Sequence, residues 1–301
     1  MRLLRWKLSE TRVIICEIDS SQASACGLSS FQKTQKYKKE GICKMISYFR
    51  DDRLCEADSF LSVVKPDYTE CPMIAAVGAG GKTSTLRRLA EEYALMGKKA
   101  IVLTTTHMRE ETTPWSCVAE EEEWISKGNE LLERVKECLE QYGQAWIGAR
   151  AKKGKMSRVP ELILAEIESW NVPLLVEADG ARMLPLKVPG EQEPVLLPQT
   201  THVFSVYGMD ALDQKLEEIC FRSEKAAELL GKQPEDQVTE EDIIKLACHE
   251  QGGRKGCPKQ AEYIVVLNKA DTKERRDRAY KIAKRLYENG IKNIFVTSYM
   301  L

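Results

Sequence analysis

The stretch from Ile74 to His107 reads IAAVGAGGKTSTLRRLAEEYALMGKKAIVLTTTH. Around its first apolar run, PMIAAVG predicts a buried strand that ends in glycine. Leu86, Leu89, Tyr93 and Met96 recur at spacings of three, four and three, which places them on one helix face. Gly97 supplies a stop, and KAIVLTTT predicts a second strand. Between strand and helix lies GAGGKTS, Gly78 to Ser84. Strand, glycine-rich turn, helix is the setting of a phosphate-binding loop. Glycines let backbone amides turn onto phosphate oxygens, and the helix N-terminus adds positive potential. On this reading Gly78, Gly80 and Gly81 shape the cradle. Lys82 bridges the β- and γ-phosphates, and Thr83, followed by Ser84, offers a hydroxyl to Mg²⁺.

The loop departs from the common spacing. A glycine is usual five residues before the one that precedes the lysine, and that position here is Ala76. The motif is compressed to Gly78-x-x-Gly81-Lys82-Thr83-Ser84, which is similar to the shorter phosphate loop of Mur-type amide ligases. A glycine-rich turn with no ligand is the plain alternative. A lysine followed by two hydroxyls argues against it.

The rest of the chain alternates. QAWIGAR, VPLLVEAD, HVFSVYG, AEYIVVLNKAD and KNIFVTS read as strands. Helices are predicted over 120–142, ELILAEIESW, two pieces within 223–250, and 273–289, the last stopped by Gly290. Near-continuous apolar strands alternating with helices predict an α/β fold: a P-loop NTPase-like, mostly parallel sheet with helices on both faces.

LLVEADGAR places Glu177 and Asp179 at the end of an apolar strand, two residues apart and so on one side of it. Ligands of open α/β sheets sit beyond the carboxyl ends of strands. The two acids are therefore expected to face the loop and, with Thr83, to hold Mg²⁺, one directly and the other orienting an attacking group. A pair of solvated turn acids before Gly180 is the competing reading. Arg182 and Lys187 are candidates to neutralise a γ-phosphate or an anionic substrate. The four prolines of LPLKVPGEQEPVLLP predict an extended loop over the sheet edge. In TTTHM, Thr105 or Thr106 is a candidate phosphate or metal contact, whereas His107 reads more simply as a strand-end residue.

Asn268-Lys269-x-Asp271, in VVLNKAD, has the form of the guanine-reading motif of GTPases. An aspartate accepts two parallel hydrogen bonds from guanine N1–H and the 2-amino group, which adenine cannot offer. The lysine stem covers the base, the asparagine supports the loop, and Thr297-Ser298 closes the pocket through a backbone contact. The motif favours GTP, and the compressed phosphate loop keeps ATP open.

Composition bounds the partners. A formal net charge of -1 over 301 residues gives no reason to expect nucleic acid or a membrane surface, and no apolar run approaches the ~18 residues of a spanning helix. Ten scattered cysteines without a CxxC suit reduced thiols and a cytoplasmic location. Cys248-His249 with Cys257 lacks the paired spacing of a zinc site. Residues 1–44 carry nine Lys/Arg and four Asp/Glu and show little periodicity. They are expected to be a disordered extension, either upstream of a natural start at Met45 or as a targeting presequence, the latter weakened by Glu10, Glu17 and Asp19. Residues 45–301 are then the nucleotide-binding domain.

VGAGGKTS, LTTTHM, LLVEADGARMLPLKVPGEQEPVLLP, VYGMDALD and VVLNKAD, in this order, resemble the YqeC family over about residues 45–301. The resemblance implies an accessory protein for selenium-dependent molybdenum hydroxylases, with a hydroxylase of that kind or its cofactor as partner. Two kinds of chemistry fit the motifs. One is Mg-dependent hydrolysis of GTP or ATP that gates a maturation step. The other is a Mur-ligase-like or kinase-like transfer that activates a small selenium- or molybdopterin-linked substrate. A nucleotide-bound scaffold without turnover is a third possibility.

Overall fold

The computed structural model describes residues 45–67 and 71–299. The expected extension at 1–44 lies outside the described residues.

In chain order the strands are β1 (Met45–Arg50), β2 (Arg53–Glu56), β3 (Met73–Gly78), β4 (Ala100–Thr104), β5 (His107–Arg109), β6 (Ser116–Ala119), β7 (Gln144–Ala151), β8 (Lys155–Ser157), β9 (Leu174–Glu177), β10 (Leu186–Lys187), β11 (His202–Gly208), β12 (Cys220–Phe221), β13 (Glu262–Asn268) and β14 (Asn293–Ser298). The helices are α1 (Phe60–Val64), α2 (Lys82–Leu95), α3 (Glu121–Ser126), α4 (Gly128–Tyr142), α5 (Glu161–Glu168), α6 (Leu216–Ile219), α7 (Ser223–Leu230), α8 (Glu240–Cys248) and α9 (Lys273–Glu288).

Twelve strands form one mixed sheet in the order β2-β1-β14-β13-β11-β3-β9-β4-β7-β8-β5, with β6 also on β7. From β14 to β7 every neighbouring pair is parallel. The antiparallel pairs lie toward the ends: β1 on β14, β2 on β1, β8 on β7 and β5 on β8. The strand β3 that carries the glycine loop is therefore central. It lies between β9, which carries Glu177, and β11.

Both faces of the central strands are covered, which is why they read as unbroken apolar runs. Ile74 and Ala76 of β3 pack with Phe60 of α1 and with Leu86, Leu89 and Tyr93 of α2. Ala75 and Val77 face the opposite side, in one cluster with Ile243 of α8 and Ile282 of α9. Beyond them Ile101, Leu103 and Val176 pack on Val135 of α4 and Ile167 of α5.

Two readings of the sequence need correction, and several short strands were not legible in it. The helix expected over 120–142 is broken at Lys127, whose φ of -124° leaves helical space. The following Gly128 sits so close to Ile163 that a Cβ there would lie 2.9 Å from its Cδ1. The hairpin β1–β2 and the short β5, β6 and β8 give no periodic signal of their own. The proline-rich stretch does not run over a sheet edge. It crosses the ends of the central strands, where Gly80 N–H donates to Leu184 O, Gly208 N–H to Pro185 O and Val195 N–H to Ala178 O.

Candidate functional site

The loop after β3 takes conformations that side chains reject. Gly80 has φ +78° and Gly81 φ +138°. A Cβ at Gly80 would lie 2.4 Å from Gly208 N, and one at Gly81 only 2.0 Å from Asn268 Nδ2. The three glycines follow from this: the loop is wedged between the end of β11 and Asn268.

The amides differ from the expectation of a loop turned wholly inward. Gly78 N–H donates to Asp179 Oδ2 at 3.1 Å. Ala79 and Gly80 donate to Val206 O and Leu184 O. What remains for an anion is the start of α2. The amides of Gly81, Lys82, Thr83 and Ser84 precede the first intrahelical bond, from Thr85 N–H to Gly81 O.

Lys82 is 5 % exposed. Its ammonium folds back over the loop, donating to Gly78 O at 2.7 Å and lying 3.1 Å from Asp179 Oδ1. Thr83 Oγ1 donates to Glu177 Oε2 at 2.6 Å. Glu177, the last residue of β9, and Asp179, two residues beyond the end of that strand, thus both reach the loop. Asp179 is fully buried. It meets a second cation, Lys187 of β10, with Nζ 3.0 Å from Oδ2. Lys187, also buried, donates to Gly180 O at 2.7 Å and to Glu193 Oε2 at 2.6 Å. Arg222 closes the chain with a two-pronged pair to Glu193, at 2.9 and 3.0 Å.

Electrostatics follows this alternation. Burial alone would lower the Lys82 pKa, but the charges of Asp179 and Glu177 outweigh it and hold the ammonium above its ordinary value. Burial pushes the Glu177 carboxyl up, against the pull of Lys82 and the Thr83 hydrogen bond. Burial also acts to raise Glu193. The hydrogen bonds from Arg222 and Lys187 prevail and bring it down to about 2.

The residues of the NKAD motif arrive from β13. Because β13 pairs with β11 and β11 with β3, Asn268 stands level with Gly208 and close to the loop. Its Nδ2 donates to Gly80 O at 2.8 Å, and its Oδ1 accepts from Thr297 Oγ1 at 2.9 Å. Asp271 Oδ1 accepts from Ser298 Oγ at 2.5 Å. Thr297 and Ser298 therefore act through their hydroxyls on Asn268 and Asp271, a contact the backbone-only expectation did not include. Lys269, at φ +62°, extends to Asp210 Oδ2 at 2.6 Å.

Three candidates stand apart. Thr105 is buried one strand further on and donates its hydroxyl to Val195 O at 2.7 Å. Arg182 is exposed, with φ +50°, and its guanidinium lies 4.6 Å from the Phe221 ring centre, outside the buried ion-pair chain. His107 is exposed on β5 and lines an open cleft with Glu120 and Arg150 that includes none of the loop residues. Cys248, His249 and Cys257 form no ligand set: among the described residues no group of three or more His, Cys, Asp or Glu is arranged to hold a metal ion. The oxygen donors Thr83, Glu177 and Asp179 still suit a hard cation that keeps waters and phosphate oxygens among its ligands.

Sequence reasoning overlooked Glu193, Arg222 and Asp210. Glu193 shares its loop with Glu191, and nothing in EQEP distinguishes them. Arg222 sits in CFRSE without a motif. Asp210 was visible within VYGMDALD, but only the fold shows that the end of β11 lies between the loop and NKAD.

Fold and site together define an α/β protein with a glycine loop, lysine and paired carboxylates at the centre of a mostly parallel sheet. The YqeC protein family profile matches residues 74–224, and the chain belongs to that family. The curated "Uncharacterized protein YqeC" of Escherichia coli (strain K12) is 29% identical over 227 residues, covering 74% of this chain and 86% of that relative. No solved structure matches. No helix among the described residues is long and apolar enough to cross a membrane.

Proposed function

We propose that this protein is a Mg-dependent P-loop nucleotide-binding protein that hydrolyses GTP. The observation that carries this reading is the joint geometry of the loop. Lys82 lies against Asp179, and Thr83 against Glu177, at the ends of two adjacent central strands. In the free protein Asp179 and Gly78 O hold the lysine where a triphosphate would take it over. The start of α2 offers its amides and its dipole to the same anion. Bound Mg²⁺ would neutralise phosphate charge; Thr83 and one carboxylate would hold it, and the second carboxylate would orient the attacking water.

Guanine is favoured by the seating of NKAD. Asn268 is bonded to the loop itself, and Asp271 accepts a hydrogen bond from Ser298, which supports reading the loop and NKAD as parts of one site. In line with the family resemblance, we place the activity in the maturation of selenium-dependent molybdenum hydroxylases. A second reading, transfer of a phosphoryl or nucleotidyl group to a small anionic substrate, draws on the cations Lys187, Arg182 and Arg222 beside the site.

Calorimetric titration with GTP and ATP, with and without Mg²⁺, followed by product analysis, tests both readings. Mg-dependent GTP binding and release of free phosphate are expected. Absence of binding by either nucleotide would refute the proposal, and a modified second substrate would replace hydrolysis by transfer.

A further inference from the structure

Beyond Glu193 lies a group of cations. Three of them converge on one short stretch of backbone. Arg222 Nη1 donates to Val188 O at 3.2 Å, Lys225 Nζ to Pro189 O at 3.0 Å, and Lys255 Nζ to Gly190 O and, at 2.9 Å, to Glu191 O. Carbonyls hold Lys225 and Lys255 in place without cancelling their charge, whereas Arg222 is also paired with Glu193. Of the acids at hand, Glu193 is already matched by Arg222 and Lys187, and Glu191 adds one negative charge near Lys255. Arg182 adds a further cation. Its guanidinium and that of Arg222 lie 4.6 and 4.2 Å from the centre of the Phe221 ring. Burial and then the Lys225 charge hold the Lys255 ammonium below its usual pKa, against the pull of Glu191 and Glu193. Like charges gathered on a fixed frame, with their polar heads partly open to solvent, favour an anion.

We propose that Arg182, Arg222, Lys225 and Lys255 form a second anion site, which binds a phosphate-bearing small molecule. Its position follows from the ion-pair chain. Glu193 pairs with Arg222, Lys187 with Glu193, Asp179 with Lys187, and Lys82 with Asp179. The patch is thus joined to the glycine loop by a chain of ion pairs that is buried from Lys82 to Lys187 and partly open at Glu193 and Arg222. In setting the bound anion beside a γ-phosphate the inference rests on the nucleotide reading; the anion site itself does not. It gives the exposed Arg182 a role that its distance from the buried network otherwise leaves unexplained.

The test titrates pyrophosphate into the full chain saturated with GDP and Mg²⁺, and into the Lys225→Glu/Lys255→Glu variant under the same conditions. Pyrophosphate should bind the nucleotide-saturated protein, and the variant should bind it at least tenfold more weakly, with the nucleotide Kd unchanged. No pyrophosphate binding, or equal affinity in the variant, overturns the proposal. If the charge-reversed variant melts early, Lys225→Ala/Lys255→Ala takes its place with the same expected direction. A protein that binds pyrophosphate through these lysines yet shows no nucleotide heat would sink the nucleotide reading alone. One that binds GTP but not pyrophosphate would sink the anion site alone.

Discussion

Replacing Asp179 by asparagine removes the negative charge between two buried lysines. The carboxylate accepts from Gly78 N–H at 3.1 Å and lies 3.1 Å from Lys82 Nζ and 3.0 Å from Lys187 Nζ. An amide of the same shape keeps one acceptor and turns a donor toward an ammonium. Breaking one side of a buried ion pair costs about 3–5 kcal/mol. The lower end applies here, because Lys82 keeps Gly78 O and Lys187 keeps Gly180 O and Glu193. About 3 kcal/mol corresponds to a drop in melting temperature of about 6–12 °C for a domain of this size. Lys187→Met should cost less, since each acid retains a cation: Asp179 keeps Lys82 and Glu193 keeps Arg222. In the double variant the surplus cation and the missing anion are removed together, so the two losses should fall short of their sum by more than ~1 kcal/mol. Urea unfolding of the four proteins measures this coupling. Additivity within ~0.5 kcal/mol would show that Asp179 and Lys187 are not partners. The same Asp179→Asn protein, titrated with GTP, should bind without Mg²⁺ and lose the gain that Mg²⁺ brings, because an amide is a poor ligand for a hard cation. If Glu177→Gln alone does this, the two acids have the opposite roles.

Gly81→Ala should lower stability by about 2–3 kcal/mol, because its Cβ would displace Asn268 from Gly80 O, whereas Gly97→Ala, with nothing within 4 Å, should carry only the cost of its positive φ; thermal melts compare them. Asp271→Asn should move base preference from guanine toward xanthine, since an amide can donate to the carbonyl that xanthine has in place of the amino group. The parent protein should favour GTP over ATP at least tenfold, about 1.4 kcal/mol, in competition binding, and equal affinity would leave NKAD a plain turn. Glu193, held down to about 2, stabilises the fold above the ordinary carboxylate value of ~4.3, and this contribution is lost as pH falls toward 2. Glu177, raised by burial, acts with the opposite sign, favouring the fold below its ordinary value and losing that contribution as pH rises. Glu193→Gln should therefore flatten the acid limb of stability measured by urea unfolding, and an unchanged limb would show that the Arg222 and Lys187 bonds carry no net weight.

Much of the centre was legible because it is periodic or carries motifs. HVFSVYG is β11 residue for residue, and Leu86, Leu89 and Tyr93 are buried on the face that their spacing marked, whereas Met96, read as part of that face, lies just past the helix end and is exposed. Glu177 and Asp179 could be placed beside the loop because they close an apolar run whose end is marked locally, although β9 itself stops at Glu177 and Asp179 lies in the bend that follows. The partners of Asp179 beyond Lys82 were not legible in the same way. Lys187 is fixed by the pairing of β10 with β12, two residues against two, and no pattern that short announces itself. Lys187 and Arg182 looked alike in the sequence, two cations in a loop. The fold buries one completely and leaves the other on the surface, because only Lys187 lies on a paired strand over the carboxylates.

Asn268 explains why the phosphate loop and the distant NKAD segment need each other. Its amide has a donor end and an acceptor end, and the site uses both: the nitrogen toward Gly80 O, the oxygen toward the Thr297 hydroxyl. A carboxylate at this position would set an oxygen against a carbonyl 2.8 Å away, and an alanine would leave Gly80 O and the Thr297 hydroxyl without this contact. Gly81 is glycine because that same amide occupies the space where a Cβ would stand. The loop sequence and the NKAD sequence are thus not two independent motifs. The 2.0 Å that excludes a side chain at Gly81 and the 2.8 Å hydrogen bond at Gly80 come from the same side chain, so any shift of the loop must move Asn268. Thr297 and Ser298 are adjacent on β14, one holding Asn268 and the other Asp271. That pair links Asn268 to Asp271, so on the proposed nucleotide reading a movement of the loop is passed to the carboxylate assigned to the base.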